Sequence, residues 1–273
     1  MHSRIGVISG LKPDLSNFQK VKNFGLNICQ LVSWQPDIWS VELAKSVKKS
    51  AEENGIRITG FWAGWPGPKT WNLIDGPSTL GLVPKEYRKM RVESLKRAGE
   101  FAKNAGIPAV ITHMGFIPEN PRDPVFDEVV QATRELAEYF DALELQFWFE
   151  TGQETPITMK RLIVATGTNN LGINLDPANL ILYGKGNPID ALDVFGEYVR
   201  NIHAKDGLYP VDPMKLGTEV KVGQGRVRYP EFVKRLNEIG FKGEFIIERE
   251  ISGKQQDEDI RDTINYLAKL LND

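Results

Sequence analysis

Four residues with metal-binding side chains stand at regular intervals in the second half of this 273-residue chain. Glu150, Asp176, His203 and Glu248 are separated by 26, 27 and 45 residues. Each follows a short apolar stretch, in "QFWFE", "GINLD", "VRNIH" and "GEFIIE". Carboxylates and imidazoles bind divalent cations, and they also transfer protons. The spacing therefore predicts one site assembled from four successive structural repeats.

The segments that must position these residues alternate in type along the chain. Eight short apolar segments end at Gly, Pro or polar residues, as buried strands do; they span 4–10, 26–34, 56–65, 109–116, 146–152, 171–180, 199–207 and 243–250. Segments with helical spacing follow them, several with Ser, Asp or Pro at the start and Gly at the end; they span 13–25, 40–55, 84–106, 123–143, 156–167, 187–199, 229–240 and 257–271.

This alternation predicts an α/β fold, a (β/α)₈ TIM barrel, with a doubly wound open sheet as the alternative. No linker or second core interrupts the pattern, so we predict a single domain over residues 1–273. Two strand-to-helix connections are long, 62–84 and 207–228. On a barrel both would lie over the C-terminal face, where active sites are found.

Side-chain alternation predicts that the four residues face the inside of the barrel. If Glu150 points inward, Trp148 does too, whereas Phe147 and Phe149 face the helices. The same alternation pairs each of the other three residues with an outward apolar set; Ile173 and Leu175, Ile202, and Phe245 and Ile247 form those sets.

Three carboxylates so close together would repel one another and could not all stay ionised. A divalent cation resolves the conflict. Three oxygen ligands and one imidazole favour Mn²⁺ foremost, then Mg²⁺ or Co²⁺, and also accommodate Zn²⁺. We therefore predict one divalent metal ion bound by Glu150, Asp176, His203 and Glu248.

Further side chains are candidates for contact with a substrate. His113 shares the inward face of its strand with Ile111, and Lys205 lies in phase with His203. Trp34 and Trp62 close the second and third strands, where an aromatic face can pack against the C–H surface of a sugar. Each also has a purely structural explanation: a buried hydrogen-bonded histidine, an ion pair, or rim packing.

Composition excludes some classes of function. Lys and Arg number 34 against 36 Asp and Glu, so the net charge is −2 and no general basic bias favours nucleic acid. No apolar run reaches the roughly 18 residues of a membrane span, and the N-terminus lacks a secretory signal pattern. One cysteine, Cys29, excludes an internal disulfide. We predict a cytoplasmic protein with neither nucleic-acid nor membrane partners.

The ordered motifs "FETGQE", "NLDPAN", "IHAKDG" and "FIIERE" resemble the xylose isomerase-like TIM barrel superfamily. That superfamily includes D-tagatose 3-epimerase, hydroxypyruvate isomerase, inosose dehydratase and endonuclease IV. The resemblance implies one divalent metal at the four residues above. It places Asn179 where epimerases have a substrate-contacting histidine, leaves Glu154 as a candidate for a substrate-binding glutamate, and makes Arg226 and Lys205 the nearest cations to a substrate arginine.

The function expected on this basis is a metal-dependent isomerase or epimerase of a sugar, a sugar phosphate or a hydroxy-carbonyl compound. Glu150 and Glu248 would act as base and acid in proton transfer through an enediolate. Alternatives are an inosose dehydratase-like lyase and a catalytically silent sugar-binding barrel. Endonuclease IV is disfavoured because its trinuclear zinc site needs many histidines and this chain has three. A homo-oligomer is compatible with the sequence.

Overall fold

Eight parallel strands hydrogen-bond side by side into a closed barrel in the computed structural model, which describes residues 3–271. The barrel strands are β1 (Ile5–Gly10), β2 (Ile28–Ser33), β3 (Arg57–Ala63), β4 (Ala109–His113), β5 (Gln146–Glu150), β6 (Leu171–Leu175), β7 (Val199–Ala204) and β10 (Phe245–Ile247). The last strand pairs with both β7 and β1, which closes the ring. The (β/α)₈ prediction is confirmed, and the open sheet is excluded.

Helices follow the strands and cover the outside of the barrel. They are α1 (Asn17–Asn23), α2 (Val41–Asn54), α3 (Gly76–Thr79), α4 (Lys85–Ala105), α5 (Pro124–Ala142), α6 (Pro156–Thr166), α7 (Pro177–Leu182), α8 (Pro188–Phe195), α9 (Tyr229–Glu238) and α10 (Lys254–Leu271). Their ends follow ordinary capping chemistry. In α2 the Ser40 hydroxyl accepts the N–H of Leu43 at 3.1 Å, and Gly55 ends the helix at a φ of 63°.

Side-chain alternation in the strands is as predicted. Phe147 and Phe149 are buried in the main core between barrel and helices, whereas Trp148 belongs to a separate cluster inside the barrel with Ala109 and Ile111. The inner face therefore mixes apolar packing with polar groups near the C-terminal ends of the strands. Cys29 is buried in the main core, and burial raises the pKa of its thiol to about 12.

The structure departs from the sequence prediction at one strand. Segment 171–180 was expected to be extended throughout, but β6 ends at Leu175 and α7 begins at Pro177. Proline suits the first position of a helix, and Asp176 accepts the backbone N–H of Asn179, so the change of conformation occurs at Asp176 itself.

Both long connections contain secondary structure of their own. Connection 207–228 contains most of an antiparallel hairpin of β8 (Asp206–Leu208) and β9 (Thr218–Val220), and connection 62–84 contains α3. Within residues 3–271, no helix combines the length and apolar character needed to cross a membrane. That residues 1–273 form a single domain stays a prediction.

Candidate metal centre and its cavity

The four residues singled out by their spacing converge at the C-terminal end of the barrel. One ligand atom from each of Glu150, Asp176, His203 and Glu248 lies within 4.8 Å of the other three. Glu150 ends β5, His203 lies in β7, and Asp176 and Glu248 directly follow β6 and β10. Glu150, Asp176 and His203 are buried, and Glu248 is partly buried. The arrangement could hold one divalent cation.

Asp176 is fixed by its backbone and by one carboxylate oxygen. Its N–H donates to the Thr151 hydroxyl at 2.9 Å, and that hydroxyl donates to the Asp176 carbonyl at 2.8 Å. Oδ1 accepts the Asn179 N–H at 2.8 Å, but Oδ2 is buried without a hydrogen-bond partner among the described residues. A buried carboxylate oxygen without a partner is costly, and a metal ion would satisfy it.

The imidazole of His203 is oriented by a polar network inside the barrel. Its Nε2 lies 2.7 Å from Gln30 Oε1, while the Gln30 amide donates to Asn174 Oδ1 at 3.2 Å. Asn201 donates to the same Asn174 oxygen at 2.7 Å. A proton on Nε2 leaves Nδ1 free to ligate, as expected of a ligand histidine held by an outer partner. Gln30 was not predicted to belong to the site, although a lone glutamine in the apolar strand "ICQLVS" indicates a buried polar contact.

Positive groups offset the three carboxylates. Lys205 Nζ lies 3.3 Å from Glu248 Oε2 and 3.6 Å from Asp176 Oδ2, and His203 Nδ1 lies 3.2 Å from Glu150 Oε1. Burial alone would lower the pKa of His203, but Glu150 and Glu248 raise it well above its ordinary value. Burial would likewise lower the pKa of Lys205, but the surrounding carboxylates raise it well above its ordinary value.

The pKa values of the carboxyl groups in the cluster are shifted in different directions. Burial raises the pKa of Asp176 well above its usual range, although Lys205 opposes the shift. For Glu248, burial is outweighed by Lys205 and His203, which lower the pKa of its carboxyl group. Divergent pKa values among neighbouring titratable groups are typical of functional sites.

A cavity of about 400 Å³ opens beside this cluster. Its lining includes two carboxylates, Glu150 and Glu248, and three tryptophans, Trp34, Trp62 and Trp71. The rings of Trp34 and Trp62 lie 4.9 Å apart, and Trp71 lies 6.1 Å from Trp34. The size and mixed lining are those of a small-molecule site.

The other predicted residues fall into different places. His113, Asn179, Trp34 and Trp62 line the cavity. The Trp62 indole N–H donates to Glu150 Oε2, the Asn179 amide donates to Glu150 Oε1 at 3.3 Å, and His113 Nδ1 lies 3.1 Å from the Glu150 carbonyl oxygen. Lys205 is buried among carboxylates at the edge of the site.

Two sequence candidates lie apart from the cavity lining. Arg226 is exposed on the connection after β9. Glu154 is buried, its Oε2 has no hydrogen-bond partner in the described part of the chain, and burial raises the pKa of its carboxyl group to about 8. Conversely, Trp71, Gln153 and Tyr183 line the cavity and were not predicted. Trp71 lies in a long connection and Gln153 shortly follows the end of β5, whereas Tyr183, at the end of α7, has neither signal.

Connection 62–84, which carries Trp71, is clamped by a buried arginine. Arg91 is fully buried and donates to the carbonyl oxygens of Gly81 at 2.6 Å, Pro68 at 2.7 Å and Pro66 at 3.3 Å. Its guanidinium also lies 5.3 Å from the ring centre of Trp65. One side chain thus fixes both ends of the segment that forms the aromatic wall.

The glycine-rich stretch "GQGRV" is held by Asp206. The Asp206 carboxylate accepts the N–H groups of Gly223 and Gly225 at 2.9 Å and of Val227 at 3.1 Å, besides that of Gly207 at 2.9 Å. A Cβ at Gly225 would lie 2.0 Å from Asp206 Oδ1, so glycine is required there. These N–H groups therefore bind a carboxylate of the protein itself, that of Asp206.

Comparison with known proteins agrees with this architecture. A family model described as xylose isomerase-like TIM barrel matches residues 18–270. A xylose isomerase domain protein from Planctomyces limnophilus is 34% identical, with a TM-score of 0.92 over 98% of this chain and 96% of its own.

More distant similarities extend the comparison. A D-psicose 3-epimerase, solved in the presence of D-fructose, is 16% identical with a TM-score of 0.73 over 99% of this chain and 100% of its own, which shows a shared fold. An uncharacterized protein of Methanocaldococcus jannaschii is 25% identical over 177 residues, 60% of this chain. That match spans only 58% of the relative's length.

Proposed function

This chain belongs to the xylose isomerase-like TIM barrel family, and from that premise we propose that it is a metal-dependent sugar isomerase or epimerase. The proposed reaction is proton transfer through an enediolate at a carbon beside a carbonyl group. The observation that carries the proposal is the convergence of Glu150, Asp176, His203 and Glu248 within 4.8 Å, next to a sugar-sized cavity. The epimerase with the same fold supports it.

The four residues fit a single divalent cation. The donor set combines three carboxylates with one imidazole whose other nitrogen is engaged, and Asp176 offers an oxygen that accepts no hydrogen bond from the described residues. When bound, the cation would stabilise negative charge on substrate oxygens. We propose Mn²⁺ as the native ion, in a cytoplasmic protein acting on a small-molecule sugar.

Glu150 and Glu248 are the proposed proton-transfer groups. Both line the cavity and both approach His203 Nδ1, at 3.2 and 3.3 Å, so they flank the same point. Glu150 is held at three atoms: Oε2 by Trp62, Oε1 by Asn179 and the backbone carbonyl by His113. These contacts would keep its carboxylate in one orientation towards the substrate. A carboxylate must lie within hydrogen-bond reach of the proton it removes, and the hydrogen bonds to Glu150 would keep it in such a position.

The test is incubation of the Mn²⁺-loaded protein with a panel of ketoses in deuterated water. Deuterium at the carbon next to the carbonyl, without loss of water, would support an isomerase or epimerase. Loss of water would indicate the lyase, and sugar binding without exchange would indicate a silent barrel.

Glu150→Gln and Glu248→Gln should each reduce exchange by about 100-fold or more, as expected when a positioned acid or base is removed. Glu138→Gln, at an exposed position on α5, is the matched control. Wild-type exchange rates in the Glu150 variant would show that its acid–base role is wrong.

A further inference from the structure

Three amide side chains form a hydrogen-bonded chain in the interior of the barrel, one layer deeper than the metal centre. They are Gln30 on β2, Asn174 on β6 and Asn201 on β7, and all three are fully buried. Asn174 and Asn201 each precede a candidate ligand, Asp176 and His203, by two residues, so each lies on the inward face below that ligand. The chain therefore connects the barrel core to the metal centre.

The direction of the hydrogen bonds along this chain is fixed at Asn174. Its Oδ1 accepts from Gln30 Nε2 at 3.2 Å and from Asn201 Nδ2 at 2.7 Å, which uses both lone pairs of the amide oxygen. Turning over the Asn174 amide alone would place its NH₂ group against two other NH₂ groups. Gln30 must therefore direct Nε2 at Asn174, and its Oε1 is left facing His203 Nε2 at 2.7 Å.

This direction determines which imidazole nitrogen of His203 can bind a metal ion. Because Gln30 Oε1 can only accept, the hydrogen of this contact must be on His203 Nε2. The other nitrogen, Nδ1, lies 3.2 Å from Glu150 Oε1, 3.3 Å from Glu248 Oε2 and 4.0 Å from Asp176 Oδ2. The lone pair of the neutral ring is then on Nδ1, among the three carboxylates. With the opposite direction, Gln30 Nε2 would donate to His203 Nε2, and a hydrogen on Nδ1 would block the metal.

Stability does not account for these buried amides. Asn174 Nδ2 and Asn201 Oδ1 are buried and have no hydrogen-bond partner within residues 3–271. A buried polar network that is only partly satisfied is less stable than apolar packing in the same space. Outer partners that orient a metal-binding histidine have a function that compensates for such a cost.

We propose that Gln30 is a positioning residue for metal binding: held by Asn174 and Asn201, it selects Nδ1 of His203 as the ligand atom. This inference rests on the metal centre of the proposed function and is independent of the substrate. Gln30 is fully buried and lies outside the cavity lining, so its replacement changes the metal centre without removing a contact to the substrate.

The first test locates the imidazole hydrogen of His203 in the wild-type protein loaded with Zn²⁺, a diamagnetic ion that binds carboxylate and imidazole ligands. Long-range proton–nitrogen NMR distinguishes the two ring nitrogens, and the chain has three histidines to assign. His203 should show a slowly exchanging hydrogen on Nε2 and metal-bound Nδ1. Metal on Nε2 with the hydrogen on Nδ1 would overturn the proposal.

The second test measures Mn²⁺ binding by titration calorimetry in two variants of Gln30. Gln30→Met keeps the length of the side chain but removes its acceptor and donor. Its Kd for Mn²⁺ should rise about 10- to 100-fold, the usual effect of losing the outer partner of a ligand histidine. Gln30→Glu presents an oxygen to His203 Nε2 whether it is ionised or protonated, so it should restore Mn²⁺ affinity.

Thr133→Val is the matched control for the loss of a buried hydrogen bond. Thr133 is fully buried on α5, where its hydroxyl donates to the Val129 carbonyl at 2.7 Å. Whatever its effect on Tm, this variant should bind Mn²⁺ with the wild-type Kd. If Gln30 were merely structural, Gln30→Met would likewise lower Tm and leave the Kd unchanged, and that result would overturn the proposal.

These measurements separate the inference from the proposed function. Metal binding that depends on Gln30, in a protein that exchanges no sugar, would support the inference and refute the proposed reaction. Metal binding that Gln30→Met leaves unchanged would refute the inference alone, and a wild-type protein that binds neither Mn²⁺ nor Zn²⁺ would refute both. Should Gln30→Met fail to fold, the position of the imidazole hydrogen in the wild type decides the question.

Discussion

The two oxygens of the Asp176 carboxylate have different roles: Oδ1 accepts the backbone N–H of Asn179 at 2.8 Å, whereas Oδ2 accepts no hydrogen bond within residues 3–271 and lies 3.6 Å from Lys205 Nζ. The same residue thus ends a strand, begins a helix and supplies a candidate ligand. Substitution can separate these roles, because asparagine also caps helices but carries no charge.

Asp176→Asn is expected to abolish metal binding and preserve the fold. In wild type, Mn²⁺ at about 100 times its Kd should raise the free energy of unfolding by about 2.7 kcal/mol. The variant should keep its helical circular dichroism and lose this metal-dependent rise in Tm. Asp141→Asn, exposed on α5, should retain it. An unchanged rise in the Asp176 variant would contradict the assigned ligand set.

Metal affinity should increase with pH through neutrality. Glu150 and Glu248 overcome the effect of burial and raise the pKa of His203, so the metal-free protein holds a proton there that a cation must displace. The apparent affinity should rise by up to about tenfold per pH unit for each proton released. Titration calorimetry in buffers of different ionisation enthalpy at pH 7 measures that release. Affinity independent of pH from 6 to 8 would refute this prediction.

Glu154→Gln is expected to stabilise the protein at alkaline pH. Burial raises the pKa of Glu154 to about 8 from an ordinary 4.5, so the folded state favours the neutral acid. The contribution of Glu154 to stability is therefore greatest below about pH 4.5 and declines as the pH rises towards 8, by at most about 5 kcal/mol. Urea unfolding at pH 5 and pH 8.5 should show that glutamine removes much of this decline. Glu138→Gln should follow the wild-type curve.

Trp62→Phe should impair turnover more than binding. Phenylalanine keeps the aromatic wall but loses the indole N–H that donates to Glu150 Oε2. Hydrogen bonds to charged groups contribute about 1.5–3 kcal/mol, so kcat for exchange should fall about 10- to 100-fold. Trp71→Phe, which also changes the wall, should mainly raise KM. Equal kcat values for the two variants would argue against a role of Trp62 in orienting Glu150.

Arg91→Met should loosen the aromatic wall. Its three carbonyl partners, on Pro66, Pro68 and Gly81, would lose their donor. Since a buried unsatisfied group costs about 1–3 kcal/mol, the free energy of unfolding should fall by at least about 2 kcal/mol. Tryptophan emission should shift to longer wavelength as Trp71 becomes more exposed. Arg122→Met, at an exposed position, should have neither effect.

The barrel could be predicted because its strands and helices differ in period along the whole chain. Each predicted apolar segment contains one barrel strand, and the inward phase of Glu150 and His203 followed from strict alternation. The four candidate ligands could be predicted for the same reason, because the C-terminal ends of parallel barrel strands lie on one face of the barrel.

What the sequence did not predict depends on tertiary contacts without a periodic signal. Helix α7 was not predicted because its residues continue the apolar run of β6, and only Asp176 as the cap and Pro177 at the first helical position mark the change. Gln30 contacts His203, which is far away in sequence, and Gln153 lines the cavity. The residue type alone indicates neither position. Arg226 was placed near the substrate because sequence distance does not specify the path of a loop.

The four N–H groups gathered by Asp206 also make the hairpin of β8 and β9 a practical attachment point. Its base is fixed to the barrel, while its tip carries Val211, fully exposed, and Met214, 60% exposed. A fluorophore, affinity tag or surface tether introduced between them would project into solvent. Because Leu216 of the same hairpin lines the cavity, a fluorophore placed there would also report on events at the mouth of the barrel.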